Sequence, residues 1–243
     1  MSDSGPKTKK SRIVLLDCVR GFTILSMVAF HACYDLAYLQ GAPLEWFTST
    51  PIQHIWRASI SWVFLLLAGW MTTLSSNNAR RAAVYSVAAF AVYAVTTAAS
   101  VDTGVSFGIM FCMAACTTVF ALCSRSIDRL DSKIGLAVCL ALFALTYTVP
   151  RGSYDIEGLA WLGLPSSTFA SGDYYPLLPY GFMYGAGHFA ARLLSETRMS
   201  WGDKPYPDWM VKDPCPPLSA IGRHSLLIYL LHQPLLLLIF SLA

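Results

Sequence analysis

Residues 13–39 read IVLLDCVRGFTILSMVAFHACYDLAYL. A helix that crosses a bilayer needs about 20 mostly apolar residues, and this run is long enough. It also carries Asp17, Arg20, His31 and Asp35. An ionised side chain at the bilayer centre costs about 2.5–3.5 kcal/mol on insertion scales, so a helix with these four groups must turn them away from lipid. The spacing allows it. Asp17 and Arg20 are i,i+3, and His31 and Asp35 are i,i+4. Arg20 and His31 lie close to three turns apart, on one face and roughly 16 Å apart along the axis. A polar stripe therefore runs from the inner to the outer half of the membrane. A purely structural helix could use leucine, so the stripe is read as a functional site. His31 beside Asp35 suits general-base chemistry, with the carboxylate orienting the ring. Arg20 suits a phosphate or a polar tail. The bland alternative is internal pairing, Asp17 with Arg20 and Asp35 with His31.

The rest of the composition agrees with lipid as the solvent. Of 243 residues, 55% are hydrophobic and 13% charged, against about 25% charged in soluble domains. A net charge of +3 gives no basic surface for nucleic acid. The seven cysteines sit mostly in apolar runs and read as small packing residues. Cys112 and Cys116 are one turn apart, but no Cys/His pair accompanies them, so neither a disulfide framework nor a metal site is expected.

Seven segments read as helices able to span, near 13–39, 53–76, 82–101, 105–124, 134–150, 174–193 and 223–243. The predicted class is all-α, a polytopic transmembrane bundle of about seven spans in one domain, 13–243, behind a basic tail, 1–12. Putting that tail in the cytoplasm gathers Lys7, Lys9, Lys10, Arg12, Arg80, Arg81, Arg125, Arg129, Lys133, Arg192, Arg198, Lys204 and Lys212 on the inner side. Segment 151–173 then lies outside, as a lid or an interfacial stretch. Segment 194–222 lies inside, and Pro205, Pro207, Pro214, Pro216 and Pro217 predict a mostly non-helical loop.

Other polar residues fall near the two ends of the stripe. His54 and Arg57 open the second helix at the outer boundary and are candidates for binding a substrate. Asp173 and Tyr174 open the sixth helix at the same depth and are candidates too; the alternative for the tyrosine is an aromatic belt. Arg80 and Arg81 close the second helix on the inner side, as a topology signal or as a site for an anionic donor. His232 and Gln233 precede Pro234 in the last apolar run and read, with Asp17, as structural polar groups. His188 and His224 read as ordinary interfacial residues.

These residues resemble a known family. Asp17, Arg20-Gly21 and His31 are similar to the opening helix of membrane acyltransferases of the acyltransferase-3-like superfamily, and Phe64-Leu65-Leu66-Leu67-Ala68-Gly69 is similar to their next helix. The bacterial branch related to the heparan-alpha-glucosaminide N-acetyltransferase catalytic region adds patterns like Phe107-Gly108-Ile109, Asp173-Tyr174-Tyr175-Pro176-Leu177-Leu178-Pro179, Gly222-Arg223-His224-Ser225-Leu226 and Tyr229-Leu230-Leu231-His232-Gln233-Pro234. The resemblance implies a multi-pass protein of the bacterial inner membrane. It would move an acyl group, acetyl above all, from cytosolic acetyl-CoA or another acyl-CoA to a carbohydrate-type acceptor at the outer face. His31 would act as the base, with Arg20, Arg80 and Arg81 at the donor. Relatives commonly carry histidine where this chain has Phe111. The chain is shorter than the lysosomal enzymes, so a heparan acceptor is not implied. Two other readings stand beside it: a small-solute transporter, and a membrane scaffold with a decayed site.

Overall fold

The polar stripe needs a helix to carry it and neighbours to shield it, and a computed structural model shows both. It describes residues 12–99, 103–197 and 206–242; the predicted basic residues Lys7, Lys9, Lys10, Arg198 and Lys204 lie outside these. Helix α1, Val14–Tyr34, continues through a π-helical turn, Asp35–Leu39. A four-residue helix α2, Glu45–Thr48, leads to α3, Thr50–Leu74, α4, Asn78–Ala99, α5, Ile109–Ile127, and α6, Ser132–Thr146. After segment 151–173 come α7, Leu177–Glu196, α8, Asp208–Val211, α9, Pro216–Arg223, and α10, Ser225–Ser241. The only β pairing among the described residues is an isolated parallel bridge, Phe107 to Tyr174.

Each of the seven predicted segments contains a helix among the described residues, but these are not equally apolar. Among the described residues, five helical stretches are long and apolar enough to cross a membrane, and six if α9 and α10, bent by 80° at their junction, count together. Helix α7 falls outside this set because Pro179, His188, Arg192 and its glycines lower its hydropathy; it faces inward, burying Tyr184, Ala186, His188 and Phe189. The opposite pattern marks the lipid face: Phe22, Ile55, Val87, Phe90, Leu122 and Leu145 are all exposed. Such a surface suits hydrocarbon, where water would be expelled.

Lipid tails are as apolar as leucine, so these helices associate by close backbone packing. Helix α3 packs on α7, α6 on α7, α4 on α5 and α1 on α9. At two crossings glycine is required. A Cβ at Gly69 would stand 1.8 Å from the Tyr184 carbonyl oxygen, and one at Gly187 would stand 2.0 Å from that of Leu66. A Cβ at Gly21 would stand 2.0 Å from the Leu218 carbonyl oxygen, and one at Gly222 would stand 1.9 Å from that of Asp17. Gly21, Gly69 and Gly222 belong to the stretches that carry the acyltransferase resemblance.

The second of these crossings corrects the expectation for 194–222. Among its described residues the prolines do not keep all of it irregular, since α8 and α9 are helical. Pro216 and Pro217 occupy the first turn of α9, where proline has no amide hydrogen bond to lose and its fixed φ favours the helix. Asp213 holds that start, accepting from the Ser219 hydroxyl at 2.6 Å and the Cys215 amide at 3.2 Å. The Ser219 bond, ahead of a small opposing effect of burial, holds its carboxyl below the usual carboxylate range.

Segment 151–173, the predicted lid or interfacial stretch, is mainly irregular, with single 3₁₀ turns at Val149–Arg151 and Ala160–Leu162. It is docked on the bundle. Phe169 stacks on Phe107 at 5.9 Å, and Tyr174 donates its hydroxyl to the Ala160 carbonyl at 2.6 Å.

Candidate active site

Helix α1 presents its stripe to α9 and α10. At the end of the stripe nearer the amino terminus, Asp17 is buried and sits between two guanidinium groups, Arg12 at 2.5 Å and Arg20 at 3.1 Å. The predicted i,i+3 pair thus forms, with Arg12 added. The Arg20 side chain is 19% exposed and lies within electrostatic reach of Arg81 and Tyr85 on α4. Arg81 is held by the Asn78 side chain at 3.0 Å, the Ala68 carbonyl at 3.2 Å and the Tyr85 hydroxyl at 3.3 Å. Ala68 and Gly69 of α3 therefore serve both the α7 crossing and the seat of Arg81. Arg80 stays outside the group, exposed, with its backbone amide capped by Asn77 at 2.8 Å.

At the other end of the stripe His31 and Asp35 lie on one face, as their spacing predicts, but each takes a partner from α10. Both Asp35 oxygens accept from Gln233 Nε2 at 3.0 Å. The His31 ring packs against His232, with centroids 4.9 Å apart and a tilt of 58°. The expected support of His31 by Asp35 is therefore replaced by a crossing between helices, with His232 against His31 and Gln233 against Asp35. Asp35 also begins the π turn, whose wider ring closes through the Gln40 amide onto the Asp35 carbonyl at 3.0 Å; such turns recur at functional sites. A cavity of about 430 Å³ opens beside it, lined by Asp35, Leu39, Gln40, Leu237, Leu238 and Phe240 among others.

A third group lies beyond His31. The Asp173 carboxylate lies beside Gly108 at the start of α5, where the Ile109 and Tyr174 backbone amides and the Arg57 charge favour its ionised form. Burial pushes its carboxyl up to about 6 from 3.8, against the pull of Arg57 and the amides. Its position beside Gly108 puts a carboxylate at the amino end of α5, where the helix dipole favours it. Segments 104–108 and 171–175 are laced together by Tyr175 N to the Phe107 carbonyl at 2.8 Å and Ser106 N to Ser171 Oγ at 3.1 Å. Arg57 also donates to His54 Nδ1 at 3.3 Å on an exposed face, so His54 sits at the rim. Tyr174 commits its hydroxyl to Ala160 and its ring to Phe169 at 5.0 Å. It is a wall residue, and burial pushes its hydroxyl up to about 12. Phe111 packs on Phe107 at 4.9 Å.

Two residues outside the predicted set complete the picture. Tyr229 of α10 contacts the His232 ring at 5.8 Å and feels the Asp173 charge. It links the outer group to His31, and its regular place in an apolar helix gave no signal of this. His188, read as interfacial, is buried: its Nδ1 meets Thr72 Oγ1 at 2.6 Å and its Nε2 lies 3.6 Å from Asp128. The seven cysteines are free thiols, Cys112 and Cys116 with sulfurs 4.0 Å apart.

The comparison with family models matches residues 12–234 to the catalytic region of heparan-alpha-glucosaminide N-acetyltransferase. The chain belongs to that family. Searches of curated proteins and of solved structures found no match. Membership in the heparan-alpha-glucosaminide N-acetyltransferase family carries a general N-acetyltransferase activity, with acetyl-CoA as the donor that the family uses. The matched region begins at Arg12 and ends at Pro234, so it includes Arg20, His31, Arg81, Asp173, His232 and Gln233. It also spans both glycine crossings.

Proposed function

We propose that this chain moves an acetyl group from acetyl-CoA, bound at the inner end of the bundle, to an amine or hydroxyl of a carbohydrate-type acceptor at the outer end. One observation carries the reading. Polar groups from α1, α3, α4, α10 and the 171–175 segment form a column through an apolar bundle, with His31 between a cationic end and an acidic end. Arg20 and Arg81 suit the diphosphate of the donor, and the Tyr85 ring beside them offers an aromatic face. Arg80 and the flanking basic residues put this end on the cytoplasmic side, where acetyl-CoA is made. At the other end Asp173, ionised above about pH 6, and Arg57 suit the amine and hydroxyls of a sugar.

In the reaction the acceptor nitrogen or oxygen attacks the thioester carbonyl. Its bond to the acetyl carbon forms, the carbon–sulfur bond breaks, and the electron pair stays on sulfur. His31 takes the acceptor's proton as the attack proceeds. The thiolate of CoA is protonated on leaving.

The test uses purified protein in proteoliposomes with radiolabelled acetyl-CoA and glucosamine as the acceptor probe. His31→Ala is expected to abolish transfer with insertion and folding intact, and wild-type turnover in that variant removes the mechanism. Arg81→Ala is expected to raise the KM for acetyl-CoA about tenfold or more, the scale of one charged contact, with a smaller change in kcat. An unchanged KM removes Arg81 from the donor site.

A further inference from the structure

His232 has a geometry that packing alone does not require. Its Nδ1 lies 2.6 Å from the Tyr229 carbonyl oxygen. A carbonyl only accepts, so Nδ1 carries the hydrogen and Nε2 carries the lone pair. Nε2 is buried, and no hydrogen-bond partner reaches it among the described residues. The residue as a whole is 9% exposed, and its ring packs on His31 with centroids 4.9 Å apart. One residue further on, Gln233 grips both oxygens of Asp35 at 3.0 Å, which holds α10 in register against α1. A basic nitrogen is thus fixed in one tautomer, kept dry, and left open beside the proposed base. Leucine would fill much of the same space without an unpaired acceptor.

We propose that His232 Nε2 is a second proton-accepting position of the active site, and that the two imidazoles handle the acceptor's proton as one unit. This rests on the transfer reading above. As the acceptor attacks the thioester, its proton moves onto His31, and Nε2 of His232 takes it from there. When the carbon–sulfur bond breaks, the proton leaves the pair for the CoA sulfur, and both rings return to the neutral state. One proton enters and one leaves, so the step needs no other reactant. Tyr229 has a defined part: its carbonyl holds Nδ1–H and so keeps the lone pair on Nε2. Across the contact stand His31 and Asp35 of α1, and Asp173 and Arg57 supply the charges beyond Tyr229.

Two measurements test it. The first is acetyl transfer from acetyl-CoA to glucosamine in proteoliposomes. His232→Gln and His232→Ala should each lose about 10²–10⁴-fold in kcat, the range of one general acid–base group, with the KM for acetyl-CoA little changed. Imidazole added to His232→Ala should restore part of the rate, in proportion to the basicity of the imidazole used. Wild-type kcat in His232→Gln overturns the proposal while leaving the transfer reading intact, provided His31→Ala is inactive. A loss that imidazole does not relieve assigns His232 to packing and also overturns it. The second measurement needs no acceptor. Nitrogen-15 spectra of histidine-labelled protein in detergent, assigned with His232→Gln, should show Nδ1 protonated and Nε2 bare at neutral pH. A protonated Nε2 overturns the proposal even where glucosamine is not acetylated.

Discussion

At the scale of single residues, Asp173 gives the most direct pH test. Its carboxyl stands at about 6 in the folded chain, above the ordinary 3.8, because burial outweighs Arg57 and two backbone amides. The folded state therefore keeps a proton that the unfolded chain has lost. Its contribution to stability is full below about pH 4 and is lost as pH rises through about 6. Asparagine can accept the Ile109 amide without ionising. Asp173→Asn should gain on the wild type between about pH 4 and pH 7, by no more than about 3 kcal/mol. Thermal unfolding followed in detergent at several pH values measures this, and parallel curves for the two proteins would contradict it. Asp173 was visible in the sequence as a carboxylate at the start of a helix. Its placement on the amino end of α5 was not, because residues 109 and 173 meet only when segments 104–108 and 171–175 pair. His31 and Asp35 show the same division. Their shared face follows from i,i+4 spacing, whereas their partners, His232 and Gln233, come from a helix nearly 200 positions away.

At the scale of elements, the glycine crossings set the geometry of the column. Gly21 lets α9 lie on α1 beside Asp17 and Arg20, and Gly69 lets α7 lie on α3 beside the seat of Arg81. A methyl group at Gly21 meets the Leu218 backbone, which has no flexible end to move. Gly21→Ala should therefore destabilise the protein by about 1–3 kcal/mol or more. At Gly181 the nearest atom is the Cys116 sulfur at 3.4 Å, so Gly181→Ala should be close to neutral. Unfolding midpoints of the two variants decide this, and equal effects would show that the α1–α9 contact is looser than described. The stop and start signals of most helices were legible, since apolar length alone marks them. Helix α9 was not: five prolines in and before it outweighed its apolar face, and only the packing against α1 makes eight residues a stable helix.

At the scale of the whole molecule, the bundle is polar along its axis and apolar around its girdle, with two chemically distinct ends. The proposed orientation places Asn77 in the cytoplasm and Glu157 outside. In a background with the native cysteines replaced, an impermeant maleimide applied to intact cells should label Glu157→Cys and spare Asn77→Cys until the membrane is opened. Reversed labelling would invert the donor and acceptor ends. By itself the sequence determined that the chain lives in lipid, that it is all-helical, and that α1 carries a stripe which must face inward, because apolar length and the cost of burying charge are properties of local sequence. Only the tertiary structure decided that α10 supplies the partners of His31 and Asp35, that Arg81 joins Arg20, and that Asp173 caps α5. Each of these depends on which helix faces which, and the helix crossings settle that through backbone contacts between residues far apart in the chain.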